Sequence, residues 1–468
     1  MIVTDESYVD KTTLHTSSPK TRKHLSTKST HSQKSSIGNS DKANTNSTRT
    51  SSKSTVFPKS TNFRLLTVNC CSINTNKSEF RAAVEYVKPD LICGTESWLK
   101  GIKPGRDPEK NCIKSCEVFP ENYIFHRNDR DSLGGGVFTG IKSNLVSDEK
   151  VELVTECEII WTKVKLQSMK DLYLASFYMP HRNMKDIIKL KESINKLADG
   201  NKYKQMIIAG DFNCPDIDWD TLLVKPGAQD REVQQALLDT SIDLGLTQVQ
   251  REPTRYNNLL DLVFTNNPSL CKSSTSIPGI SDHAMVVTDF DIIPHYIKQS
   301  KRKKYMFNKA DWDSIYKEME QLSTTMESQT ATPVEDLWST FTTTVLTIID
   351  KYTPSKVCAS RKSLPWLNRN LSRMLKRKIR LYKHAKRSKQ WNDYKSFQKK
   401  CKKEFKKAEI NYINNTIYQG LQDNNTKPFW RYVKSRRQEN IGIPAMKQNG
   451  ALQYNSATTH LNQPSCFG

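Results

Sequence analysis

The sequence predicts an α/β fold for residues 62–295: two mixed sheets packed face to face between outer helices, a four-layer α/β sandwich. A disordered arm is expected before it and a helical basic region after it. Three observations predict this. Apolar runs of strand length recur between Phe63 and Phe290, punctuated by turn residues. Helix-spaced apolar residues separate some of these runs but not all, so the order is mixed, which favours sheet-on-sheet packing over strict strand–helix alternation. The longest apolar runs, 206–209 and 284–287, fall far short of the ~18–20 residues that span a bilayer, so they belong to a buried core and a transmembrane protein is excluded.

Residues 1–61 hold 26 Ser or Thr and no apolar periodicity, and so cannot bury enough surface to offset ordering entropy. Strands are expected at 63–69 (FRLLTVN), 90–93 (DLIC), 136–141 (GVFTGI), 159–166 (IIWTKVKL), 172–178 (LYLASFY), 205–209 (QMIIA), 260–265 (LDLVFT) and 284–290 (AMVVTDF). Helices are expected at 77–87, 184–197 and 231–244. The basic run Lys301-Arg302-Lys303-Lys304 marks a linker with weakly patterned helices over 296–360. In 361–440, Trp391, Tyr394, Phe397, Cys401, Phe405, Ala408 and Tyr412 recur at steps of three and four, the seam of one long helix on which 370–386 folds back. Residues 441–468 form a tail.

The net charge of +23 is uneven. Residues 62–300 are nearly balanced, whereas 351–440 hold 26 basic residues against 5 acidic ones, which points to a polyanion partner, DNA or RNA. Eleven irregularly spaced cysteines make no disulfide framework and fit a reducing compartment. The N-terminus, Met-Ile-Val-Thr-Asp-Glu, lacks the basic and apolar segments of a signal peptide. The 301–304 run suggests the nucleus.

Polar residues collect where strands give way to loops: Asn69, Glu96, Tyr178, Asp211 with Asn213, Asp261, and Asp282 with His283. Carboxylates, carboxamides and one His, without Cys partners, suit a hard oxygen-binding cation, Mg²⁺ first and Mn²⁺ second, rather than Zn²⁺. Phosphodiester hydrolysis needs charge neutralisation at phosphate, a base for water and a donor for the charge developing on oxygen, and this set contains all three.

Taken in order, Val68-Asn69, Gly94-Thr95-Glu96-Ser97-Trp98-Leu99, Gly134-Gly135-Gly136-Val137, Tyr178-Met179-Pro180, Gly210-Asp211-Phe212-Asn213, Leu260-Asp261-Leu262-Val263-Phe264 and Ser281-Asp282-His283 resemble the endonuclease/exonuclease/phosphatase superfamily. The wording is most like the endonuclease domain of non-LTR (LINE-type) retrotransposons, over about half the chain. The resemblance implies that Glu96, helped by Asn69, holds Mg²⁺, with Asp282 at a second metal or leaving-group position. It implies that Asp211 orients or deprotonates the attacking water, Asn213 contacts the phosphate and Tyr178 donates to a phosphate oxygen. His283, oriented by Asp261, would stabilise the pentacovalent phosphorus. Cys70, Cys71 and Ser72 after Asn69 depart from the abasic-site repair branch, and Cys71 is not expected to bind metal. Trp98 is expected to pack in the core or a loop, and the three glycines to form a tight turn.

Leu364-Pro365-Trp366-Leu367 and Pro428-Phe429-Trp430-Arg431-Tyr432-Val433 resemble the segment joining endonuclease to reverse transcriptase in these elements. No Asp-Asp dipeptide of the kind a polymerase needs occurs, so the chain is expected to be a truncated element, a gene fragment or a partial sequence, one that nicks and does not copy. Lys376, Arg377, Lys378, Arg380, Lys383, Lys386 and Arg387 are expected to meet a phosphate backbone. The resulting reading is an Mg²⁺-dependent DNA endonuclease leaving a 3′-hydroxyl. The alternatives are a catalytically decayed nucleic-acid-binding relic and a phosphatase of the same superfamily.

Overall fold

A computed structural model describes residues 62–167, 170–199, 202–297, 302–328, 332–358, 364–437, 446–448 and 451–453. The arm expected over 1–61 and most of the 441–468 tail lie outside the described residues.

The chain opens with β1 (Phe63–Asn69), α1 (Ile73–Val87) and β2 (Leu91–Thr95). A short α2 (Ser115–Val118) leads to β3 (Tyr123–Asn128), β4 (Val137–Lys142), β5 (Ser147–Glu149), β6 (Glu158–Val164) and β7 (Leu172–Tyr178). Then come α3 (Met184–Asn195), the ribbon β8 (Ala198–Asp199) with β9 (Lys202–Tyr203), and β10 (Met206–Asp211). The ribbon β11 (Ile217–Asp218) with β12 (Leu223–Val224) precedes α4 (Arg231–Asp243), β13 (Thr247–Gln248), β14 (Asp261–Thr265), β15 (Cys271–Ile277) and β16 (Met285–Phe290). The strands make two six-stranded sheets, in the orders β15-β16-β1-β2-β4-β3 and β13-β14-β10-β7-β6-β5. Each has one parallel pair at its centre, β1 with β2 and β10 with β7, and antiparallel pairs elsewhere.

Strand alternation explains the layers. Phe63 and Leu65 point between the sheets and meet Leu172, Leu174, Ile207, Ala209 and Val263. Leu66 and Val68 point the other way and pack with Phe80, Val84 and Val87 of α1. Met206, Ile208 and Phe177 likewise face Ile187 and Leu190 of α3 and Leu237 and Leu238 of α4. The expected four-layer α/β sandwich is therefore the observed one. Within the two six-stranded sheets four strands were not expected, β3, β5, β13 and β15, and all are sheet edges. An edge strand with one wet face reads as polar, as in Cys-Lys-Ser-Ser-Thr-Ser-Ile of β15.

The basic run forms β17 (Arg302–Tyr305), which pairs with β18 (Ser355–Cys358) and encloses α5 (Trp312–Glu327) and α6 (Val334–Tyr352). Helices α7 (Arg369–Ser388) and α8 (Asn392–Tyr412) then form a hairpin whose aromatic seam packs inward as the spacing predicts: Leu371 and Leu375 against Cys401 and Phe405, and Tyr382 against Tyr394. The same clusters include Ala82 of α1 and Ala284, so the hairpin is seated on the first sheet's helix and on the β15–β16 connection. A π-helical turn, α9 (Gln419–Gln422), α10 (Lys427–Arg437) and the ribbon β19 (Met446–Gln448) with β20 (Ala451–Gln453) follow.

Candidate active site

Register assembles the site. In the second sheet Asp261 of β14 pairs with Asp211 of β10, Asp211 with Tyr178 of β7, and Tyr178 with Glu158 of β6. These four residues occupy one rung, which places their side chains on the same side of the sheet. In the first sheet Asn69 ends β1 beside Thr95, and Glu96 follows at once. Gly210 before Asp211 is dictated by space: a Cβ there would lie 1.9 Å from the Phe177 carbonyl oxygen. Glu96 and Asn213 both have left-handed backbones, with φ of 51° each, a conformation that costs a non-glycine residue energy and here turns each strand end into its loop.

The two sheets meet through Asn69. Its Nδ2 donates to Glu96 Oε1 at 2.8 Å and to Asp211 Oδ2 at 2.9 Å, while its Oδ1 accepts the Cys71 N–H at 3.1 Å. Asp261 Oδ2 lies 2.8 Å from His283 Nδ1, both buried, and Asp261 Oδ1 has no hydrogen-bond partner among the described residues. One ligand atom each from Asp211, Asp261 and His283 lie within 4.8 Å of one another. Tyr178 senses the neighbouring Glu96 carboxylate and has the Arg130 guanidinium 5.8 Å from its ring centroid. Arg130 in turn pairs with Glu158, which accepts the Gly136 N–H. Asn213 donates its backbone N–H to Asp211 Oδ1 at 3.2 Å and its Nδ2 to the Met179 carbonyl at 2.8 Å. Asp282 is more exposed and pairs with Arg255 at 2.7 Å.

Electrostatics follow from crowding acids in a dry place. Burial, reinforced by the Asp261 charge, pushes the Asp211 carboxyl up to about 7 against the opposing pull of His283 and Asn69. Burial works against the His283 cation, but Asp261, Asp211 and Asp282 together overcome it and raise the imidazole to about 9. His283 is thus an imidazolium at neutral pH, its ring oriented by Asp261. Burial and the neighbouring carboxylates of Glu96 and Asp211 raise the Tyr178 phenol well above its ordinary range, so it remains a donor.

A divalent cation fits this donor set. Three clustered carboxylates, one with an unpartnered buried oxygen, and an acid held near neutrality by its neighbours are what a positive ion would relieve. Cys71 is half-buried, and its thiol is pushed up by burial, Glu96 and Asp282 against Lys402 of α8 and Arg255, so it is a poor thiolate ligand.

Asn69, Glu96, Tyr178, Asp211, Asn213, Asp261 and His283 are therefore brought together, with Asp282 at the edge through Arg255. Sequence reasoning missed Arg130, Glu158 and Arg255. Only Glu158 carries a signal, as an acid at the opening of an apolar strand run. Trp98 lies in the loop after β2 and not in the core, 41% exposed with φ of 56°. Of the seven basic residues assigned to phosphate, Lys376, Arg377, Arg380, Lys383 and Arg387 are exposed. Two are corrected. Lys378 is buried, 3% exposed, on Glu79 and the Gly279 carbonyl, and Lys386 is turned toward Glu252 and Ser276, because both lie on the inner face of α7.

Residues 172–287 match a family model described as endonuclease-reverse transcriptase. Among solved structures, the chain is similar to the endonuclease domain of TRAS1, a telomere-specific non-LTR retrotransposon, at 17% identity over 49% of this chain and 98% of that one, with a TM-score of 0.38. It is similar to the AP endonuclease LMAP from Leishmania major at 14% identity, over 51% and 90%, with a TM-score of 0.40. It is also similar to an endonuclease/exonuclease/phosphatase family protein from Leptotrichia buccalis at 17% identity, over 49% and 99%, with a TM-score of 0.36. No curated protein matches the chain. The expected resemblance to the endonuclease/exonuclease/phosphatase superfamily is matched over residues 172–287 by that family model.

Proposed function

We propose that this chain, with its endonuclease-type fold, is a retrotransposon-derived, Mg²⁺-dependent DNA endonuclease that hydrolyses one phosphodiester bond and leaves a 3′-hydroxyl. The observation that carries the reading is the single rung Asp261–Asp211–Tyr178, joined to Glu96 through Asn69 and to His283 through Asp261.

Glu96, oriented by the Asn69 Nδ2 that bonds it, would hold the cation, and Asp282 a second position; once bound, the ion would supply charge neutralisation at the phosphate. The chain's own groups do the rest. Asp211, raised to about 7, has a basicity suited to orienting a water molecule and taking its proton near neutral pH. The His283 imidazolium, held by Asp261 at Nδ1, offers its other N–H to the charge growing on a phosphate oxygen. Tyr178 supplies a second neutral donor, and Asn213, fixed by Met179, a carboxamide beside the scissile group. The exposed Lys and Arg of α7 suit a DNA backbone, which makes nucleic acid a better-supported substrate than a small phosphate ester.

Incubation of the full chain with supercoiled plasmid and Mg²⁺ tests this. Expected are an open-circle product whose nick a polymerase extends without end repair, and its loss with chelator, Asp211→Ala or His283→Ala. Plasmid left supercoiled by folded wild type would overturn the reading in favour of a binding relic. Release of phosphate from nicked ends without new nicks would favour a phosphatase.

A further inference from the structure

The connection from β15 to β16 carries Ser281, Asp282 and His283, and it is gripped from two sides. From within the sandwich, the Ser281 hydroxyl donates to the Asn69 carbonyl at 2.8 Å and accepts the His283 N–H at 3.2 Å, and the Ala284 N–H donates to the Thr254 carbonyl at 2.7 Å. The loop returns so tightly that a Cβ on Gly279 would lie 1.6 Å from the His283 carbonyl oxygen. Two of its carbonyls face the basic hairpin. Lys378 Nζ of α7 donates to the Gly279 carbonyl at 2.7 Å, and Gln398 Nε2 of α8 donates to the Ser281 carbonyl at 3.2 Å and the Gly279 carbonyl at 3.5 Å.

The hairpin is fixed in that place by reciprocal charges. Helix α1 presents Glu79 to Lys378, and Arg81 to Glu409 of α8 at 2.8 Å, with all four residues buried. Glu409 also accepts the Ser78 hydroxyl. Buried charges are costly unless their hydrogen bonds are completed. Lys378 completes two, one to the carboxylate that docks the hairpin and one to the loop leading to His283. A helix whose cations served only to attract polyanions would keep them all in water.

We propose that the α7–α8 hairpin is a working part of the candidate active site, with Lys378 and Gln398 as positioning residues that hold the 278–283 loop and so fix where His283 stands. This rests on the endonuclease reading for its catalytic consequence, though the bracing itself does not.

The test uses the full chain. Gln398→Leu removes the donors to Ser281 and Gly279, and the double variant Glu79→Met with Lys378→Met removes the loop donor without stranding a buried charge. Lys378→Arg keeps a cation with several donors and serves as the rescue. Plasmid nicking gives kcat and KM, amide hydrogen exchange reads 279–284, and thermal unfolding reports the fold. Expected for both loss variants are faster exchange at 279–284, a kcat lowered about tenfold to a hundredfold with KM unchanged, and an unaltered melting profile; Lys378→Arg restores kcat and slow exchange. Unchanged exchange and kcat, a rise in KM alone, or a loss that merely follows the melting temperature would overturn the proposal. If wild type does not nick, the endonuclease reading falls while the exchange measurement still decides the bracing.

Discussion

Asp211 and Asp261 face each other across an antiparallel ladder, two buried carboxylates on neighbouring strands. Like charges in that relation destabilise a sheet unless something offsets them. His283 takes one side, at 2.8 Å from Asp261, and Asn69 the other, at 2.9 Å from Asp211. Replacing Asp261 by Asn relaxes the repulsion but leaves His283 without its carboxylate. Asp261→Asn is therefore expected to lower nicking by about 10²–10⁴-fold, the usual worth of a general acid or base, while moving the Asp211 titration downward. Rate measurement across pH checks both: an unaltered acid limb would show that the two carboxylates do not sense each other.

The pH profile of the wild type follows from the same pair. Asp211 must be ionised to act on water, and it is raised to about 7; His283 must be protonated to donate, and it is raised to about 9. Activity is expected to climb through the first value and decline through the second, with a bound cation drawing the first limb lower. His283→Gln is expected to remove the alkaline limb. Its survival in that variant would assign the limb to another group.

Stability of the metal-free chain is expected to fall with rising pH throughout, opposite to catalysis on the acid limb and alongside it on the alkaline limb. Asp211 binds its proton more tightly folded than at its ordinary 3.8, and His283 more tightly than at its ordinary 6.5. Both folded values are raised, so the folded state holds more protons across these ranges, and stability is lost as pH rises, first toward 7 and then through 9. Melting in chelator should fall over this span. Mg²⁺ should recover more of it at pH 8 than at pH 6, because the carboxylates must shed protons to receive the ion. A melting curve indifferent to Mg²⁺ at both values would argue against a cation in this cluster.

The strands that carry the site were legible in the sequence because each is buried on both faces and ends in a polar residue: β1, β7 and β10 read as apolar runs closing on Asn69, Tyr178 and Asp211. The convergence of those residues was legible only through motif order, since periodicity says nothing of which strands become neighbours. What escaped is what depends on partners. Arg255 is one charged loop residue among many until Asp282 is seen beside it. Lys378 reads as part of a basic run, and its different fate follows from falling on the inner face of α7 with Leu371, Leu375 and Tyr382.

That difference between Lys378 and its neighbours yields a last expectation. Lys376, Arg377, Arg380, Lys383 and Arg387 are exposed, so replacing them together by Gln should leave the fold nearly untouched, as exposed charges contribute little to stability. It should instead weaken DNA binding most at low salt, reducing the slope of log affinity against log salt by about 0.9 for each phosphate no longer neutralised. Lys378→Met alone should do the reverse. It strands Glu79 in a buried site and should cost about 3–5 kcal/mol of stability with no change in the salt slope of the folded fraction. Denaturant unfolding and a salt titration on the same two proteins separate the effects. A flattened slope in the Lys378 variant would mean that its charge reaches DNA after all.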